Sequence, residues 1–268
     1  MSFGKYITAT KVSWQAGFVY RLNFVMWRVR MVIQLLALYF LWLAITSKSP
    51  NAFGYDQATM LVYVLGSSVM RALVFSSRSI DVQGEISNGD LNNYLIKPLN
   101  YFRYWFFRDF ADKALNIIFS IGELVVLFLL LRPPVIIQSD PLAWLGFLVM
   151  APLAMILYYY FSLLISMTTF WYPEGDGWPQ RFFVFTILES LSGGLFPLDI
   201  LPAPVYSVLQ NLPTAYFIFV PMQVYLGRIQ GMELVGAIGV TVFWVLVLWW
   251  LARVVWHRGL KVYGAYGR

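Results

Sequence analysis

The chain has 268 residues, of which 60% are hydrophobic and only 12% charged, with a formal net charge of +6 and a mean hydropathy of +0.67. Soluble domains carry about 25% charged residues, so a fully water-facing surface is excluded and the solvent is largely lipid. The absence of cysteine excludes disulfides and thiolate metal sites, and a single histidine, His257, argues against a histidine-based metal site.

In chain order, Met1 to Thr10 is polar and aromatic, without the short apolar core of a cleaved signal peptide. From Phe3 to about Val25, the residues Phe3, Ile7, Trp14, Phe18, Leu22 and Val25 fall on one helical stripe, interrupted by Lys11 and Arg21. That pattern predicts an interfacial helix on the cytoplasmic leaflet; the alternative is a cytoplasmic extension of the first span. A spanning helix needs about 20 mainly apolar residues. Six segments qualify, at about 29–46, 58–75, 114–131, 141–171, 182–196 and 234–256. The fourth is long enough to tilt and contains Pro152. The fifth is short and ends in Gly193-Gly194 and Pro197. Between the last two spans, Pro202, Pro204, Pro213 and Pro221 break an apolar stretch into pieces. Irregular backbone in lipid leaves polar groups unpaired, so short helices packed on the bundle are expected there. The fold class is all-α integral membrane, one domain over residues 1–268.

Placing both termini inside puts sixteen of the nineteen Lys and Arg on the cytoplasmic side. Only Lys48, Arg132 and Arg228 fall outside. A basic rim facing anionic lipid accounts for the net charge without nucleic acid.

The cytoplasmic loop after the second span, about 77–108, is the most informative stretch. Asp90 is placed to cap a short helix, Leu91, Tyr94 and Leu95 share a face at i, i+3 and i+4, and Pro98 stops it. Such an amphipathic helix suits docking into a groove on a cytoplasmic partner; an ordinary interfacial loop helix is the alternative. Gly84 and Gly89 have the glycine spacing of a phosphate-binding loop, but Asp90 and Leu91 stand where that loop needs Lys and Ser or Thr. ATP is therefore not expected to bind this chain in that way.

Two carboxylates, Glu123 and Glu189, lie inside predicted spans. A charge at the bilayer centre costs about 2.5–3.5 kcal/mol on insertion scales. Such residues face a bundle interior or an aqueous path, as substrate or proton contacts, or as paired glutamates that hold helices together. No Lys or Arg lies deep in the same two spans. Glu189 reads toward function because it approaches Gly193-Gly194 and the broken segment after it. Asp109 and Asp112, among Arg103, Arg108 and Lys113, read as solvated surface pairs. Glu174-Gly175-Asp176 reads as a turn, and no serine has a context that suggests a catalytic triad.

Several motifs in order resemble the permease subunit of type-2 ABC exporters, more narrowly a bacterial subfamily of about this length. They are Glu85-Ile86, Gly89, Leu91, Leu95 and Pro98; Gly193-Gly194-Leu195-Phe196-Pro197; Leu201-Pro202; Leu212-Pro213; Tyr225-Leu226-Gly227; and the tail Gly259 to Gly267. The resemblance implies six spans, an interfacial elbow helix, re-entrant short helices between spans five and six, and cytoplasmic termini in a bacterial inner membrane. It implies a non-enzymatic subunit that dimerises with an identical or homologous permease. A cytoplasmic ABC ATPase subunit would bind ATP and magnesium, and this chain no cofactor. The ATPase-coupling residues would be Glu85, Ile86, Gly89, Leu91, Tyr94, Leu95 and Pro98. Glu123, Glu189, Gly193, Gly194 and Phe196 are candidates for the translocation path. A small amphipathic or hydrophobic molecule, cationic ones included, is the expected cargo, with a lipid or lipid-linked glycan as the alternative. A stand-alone proton-coupled transporter using Glu123 and Glu189 is a reading of another class.

Overall fold

The apolar segments form helices as expected. A computed structural model describes residues 4–19, 21–49, 51–134, 138–173 and 178–264. The helices are α1 (Gly4–Val19), α2 (Arg21–Lys48), α3 (Gln57–Val74), α4 (Asp81–Ser87), α5 (Asn92–Leu95), α6 (Tyr101–Leu131), α7 (Pro141–Met167), α8 (Trp178–Leu191), α9 (Ala203–Leu209), α10 (Phe219–Tyr225) and α11 (Gly231–Val262). No strand occurs among the described residues. Glu174-Gly175-Asp176 and the last four residues of the tail lie outside them.

Five helices are long and apolar enough to cross a membrane: Phe24–Lys48, Gln57–Val74, Tyr101–Leu131, Pro141–Phe170 and Gly231–Val262. Their starts are set by local chemistry. Asp56 accepts from the Thr59 amide before α3, and Asp140 accepts from the Leu142 amide with Pro141 in the first turn of α7. Asn100 accepts from the Arg103 amide, so α6 begins at Tyr101. Residues 101–108, expected in the loop, are therefore helix. The expected fifth span differs. Its helix, α8, has 14 residues, about 21 Å at 1.5 Å per residue, short of a hydrocarbon core of about 30 Å. The apolar sequence continues to Phe196, but the helix ends at Leu191, ahead of Gly193-Gly194.

Helix α7 is central, packing along α11 and against α10 and α3. Met150, Ala154, Leu157 and Tyr158 of α7 meet Tyr63, Met70, Phe217 and Phe219 in the largest core cluster. The proline-broken stretch forms α9, α10 and short 3-10 turns, and its 214–224 portion is buried against the bundle. Helix α1 packs on the first half of α6, with Thr10 donating to the Phe107 carbonyl (3.1 Å) and Arg108 to Ser13 (3.1 Å). Of the expected stripe, Ile7 on α1 and Val25, which belongs to α2, are exposed on the outside of the bundle, while Ser13 faces α6 and is buried. Phe3 and the side chains of Phe18 and Leu22 are outside the described set.

The junction between α3 and α4 corrects the surface-pair reading of Asp109 and Lys113. Both are 1% exposed. The Lys113 amine donates to the Val74 (2.8 Å) and Ser76 (2.6 Å) carbonyls, which the end of α3 leaves without helical partners. Asp109 accepts from Ser77 Oγ (2.5 Å) and the Arg78 amide (2.9 Å), and lies 3.4 Å from Lys113 Nζ. Ser79 bonds Ser162 Oγ (2.6 Å) and accepts from Ser166 (2.7 Å), which ties the same turn to α7. Helical spacing brought the charges together, and the end of α3 supplied the unpaired carbonyls that drew them inside.

Candidate functional site

Where α8 stops, four successive carbonyls lose their helical partners, and each finds a donor elsewhere. Ser192 O accepts from the Phe219 amide (2.9 Å). Gly193 O accepts from Tyr63 Oη (2.6 Å), Gly194 O from Arg71 (2.7 Å), and Leu195 O from Trp42 Nε1 (3.2 Å). The donors come from α10, α3 and α2, so an irregular backbone segment is satisfied within the bundle, as lipid surroundings require. Gly193 has φ +81, and a Cβ there would lie 2.7 Å from both Phe219 Cβ and Tyr63 Oη. The position needs glycine for conformation and for space. Phe196, half-buried, packs between two core clusters.

Glu123 and Glu189 are both ion-paired. Arg28 binds Glu123 through Nε (2.7 Å) and Nη2, and donates to Asn116 Oδ1 (3.3 Å). Arg71 binds Glu189 at 2.6 Å, and Gln34 also donates to Glu189 (3.4 Å). The partners sit on neighbouring helices rather than in the carboxylates' own spans. Arg71 lay inside the second predicted span and Arg28 just before the first. A buried arginine in an apolar helix demands an anion, and that signal could have found both pairs. Beside Arg28, Glu123 and Arg71, α2, α3, α6 and Gly194 bound a partly open cavity of about 40 Å³, room for roughly two or three waters. Ser76 lines it, which sets the cavity toward the end of the bundle that carries α4 and α5.

The opposite end carries a cluster that was not legible beforehand. Tyr55 donates to Asp199 (2.8 Å), Gln223 donates to Tyr55, and the Arg228 guanidinium lies 3.6 Å from the centre of the Tyr55 ring. Arg228 also approaches Asp199 (3.4 Å) and donates to Gly54 O. The cluster fastens the α2–α3 connection to the segment between α8 and α11. Burial raises the Asp199 carboxyl above its ordinary value, against the Tyr55 hydrogen bond and the Arg228 charge.

The seven loop residues divide into an anchored and an exposed set. Ile86 and Leu91 are buried, Leu91 completely, beside Trp105, Tyr159 and Trp256. Glu85 accepts from Tyr101 Oη (2.7 Å) and faces Arg108 (3.9 Å); burial pushes its carboxyl up. Gly89, with φ +80, makes the turn. Tyr94 is half-buried against Tyr101. Leu95 is 44% exposed and Ile96 83%, with Pro98 exposed beside them. Leu91 and Leu95 therefore do not form one outward face. The expected Asp90 cap is absent as well, since Leu91 occupies the cap position of α5 and no side chain caps that helix. The chain turns instead on backbone bonds, including Leu91 N to Glu85 O (2.9 Å). Among the described residues no group of three or more His, Cys, Asp or Glu side chains could hold a metal ion.

The model of the ABC-2 family transporter proteins matches residues 32–267, and the chain belongs to that family. A search of curated proteins found no match. Membership makes the chain a multi-pass membrane transport component rather than a catalyst, and it implies association with an ABC ATPase.

Proposed function

We propose that this ABC-2 family member is the membrane subunit of an ATP-driven exporter in a bacterial inner membrane. It pairs with an identical or homologous permease and with cytoplasmic ATPase subunits, which bind the ATP and magnesium. The observation that carries this reading is the knuckle made by α4 and α5. Its inner side, Ile86 and Leu91, is locked into the bundle, while Leu95 and Ile96 face outward. An apolar pair on a rigidly rooted turn suits a groove on a soluble partner. A push there reaches α3, α6 and α7 through Asp109, Lys113, Ser79 and Ser166.

In this reading the chain crosses six times with both termini cytoplasmic, because the basic residues cluster at the α4–α5 end. Helix α8 and the tied segment after it together make the fifth crossing. Helices α9 and α10 re-enter from the outer face, and α1 is the interfacial elbow. The cargo is a small amphipathic or hydrophobic molecule that passes Glu123, Glu189, Gly193, Gly194 and Phe196. Proton-coupled transport is the weaker reading, since both glutamates already neutralise arginines.

The test is reconstitution of the chain with its ATPase in liposomes. ATP-dependent movement of an amphipathic dye, absent without the ATPase, supports the reading. Movement driven by a proton gradient alone refutes it.

A further inference from the structure

The cavity bounded by α2, α3 and α6 is lined by Arg28, Gln34, Arg71, Asn116, Ser120 and Glu123, whereas the outer faces of the same helices expose Ile33, Phe40, Ile118, Ile121 and Val125. These polar groups are set among apolar lining residues, Leu35, Leu38 and Val64 included, and a few charges in a mainly apolar cleft beside apolar outer faces suit an amphipath. The Arg28–Glu123 pair and Arg71 line this one cavity, whereas Glu189 pairs with Arg71 from outside the lining. As helix staples alone, buried pairs do no better than apolar side chains of similar volume, so the Arg28–Glu123 pair, with Arg71 beside it in one cavity, calls for another role.

We infer that this cleft receives the head group of a zwitterionic amphipath. The anionic part of the head goes to Arg28 and Arg71, the cationic part to Glu123, and the apolar tail lies along the exposed faces of α2 and α6. The charge balance selects this class. A lone cation that takes Glu123 strands Arg28, and a lone anion that takes Arg28 strands Glu123; either leaves a buried charge unpaired. A head with both signs exchanges one ion pair for two. The cavity, at about 40 Å³, has no room for a head group beside the pairs, so the head enters by parting them. The inference names the cargo of the proposed exporter and so rests on that reading for its role in transport, but binding itself needs no ATPase.

The experiment uses the full chain in a neutral maltoside detergent, with fluorescent lysophosphatidylcholine below its micellar concentration as the probe. Competitors are a cationic alkyltrimethylammonium and an anionic alkyl sulfate of matched chain length. The expected result is saturable binding, with each singly charged competitor at least tenfold weaker than unlabelled lysophosphatidylcholine. Arg28→Met/Glu123→Leu, which removes both charges and keeps apolar packing, lowers affinity at least tenfold without lowering the melting temperature. Ser120→Val, which narrows the cleft and leaves every charge in place, weakens binding too. Absent binding, equal competition by the cation, or full affinity in both variants overturns the inference. A chain that recruits its ATPase yet ignores the zwitterion refutes this inference alone; a chain that binds the zwitterion but recruits no ATPase refutes only the export reading.

Discussion

Arg71 bridges Glu189 and the Gly194 carbonyl at 2.6 and 2.7 Å, on either side of the point where α8 ends. One guanidinium thus neutralises a buried carboxylate and satisfies a backbone oxygen that the broken helix leaves open. Removing one partner of a buried ion pair costs about 3–5 kcal/mol. Arg71→Met should lower stability by that amount. Arg71→Met/Glu189→Leu should recover most of it, leaving about 1–3 kcal/mol for the undonated carbonyl. Thermal unfolding in detergent checks the pair of values; equal losses would show that the ion pair contributes nothing.

Tyr63 makes a narrower case. Its hydroxyl is the donor to Gly193 O, so Tyr63→Phe should cost about 1–3 kcal/mol for one buried acceptor left unsatisfied. Gly193→Ala should cost more, because it adds a left-handed backbone penalty to contacts of 2.7 Å. The same melting assay orders the two.

Lys113 and Lys97 separate buried from surface charge. Lys97 is exposed beside the Tyr94 ring, and Lys97→Met should change stability by less than about 0.5 kcal/mol. Lys113→Met strands Asp109 and two carbonyls and should cost about 3–5 kcal/mol. A solvated Lys113 would make the two variants alike.

Asp199 carries a pH dependence. Its carboxyl is raised in the folded chain above the ordinary 3.8. A raised group contributes stability that is fully present below its unfolded value and is lost as pH rises through the folded value. From about pH 3.8 upward, the wild-type chain should therefore lose stability relative to Asp199→Asn, until the folded-state carboxyl is fully ionised. Melting temperatures of both chains across that window give the difference; a widening advantage for the wild type would reverse the sign.

Length and apolarity were legible because each crossing helix repeats them over many residues, and each of five expected spans falls on a long helix, although α6 starts at Tyr101, well before the expected 114. Side-chain partners were not, because they depend on which helices meet. Glu189 looked unpaired as long as only its own span was read, while Arg71 stood on α3. The fifth span was drawn five residues past the end of α8 at Leu191 because Leu195 and Phe196 continue its apolar run. Hydropathy does not register that Gly193 turns the backbone left-handed. The spacing of Leu91, Tyr94 and Leu95 correctly placed a helix, but one of four residues is too short for periodicity to say which side is buried. Leu91, just ahead of that helix, packs with Trp105 and Trp256, while Leu95 stays at the surface.

The most direct test of the central claim follows from that division. The chain is purified in mild detergent with its co-expressed ATPase, and the subunits are weighed, for the wild type and for Leu95→Asp/Ile96→Asp. Both positions are exposed, so the variant should fold with an unchanged melting temperature. The wild-type assembly should contain the ATPase and the variant should have lost it. An ATPase retained in full by the folded variant would contradict the assignment of this knuckle as the coupling surface.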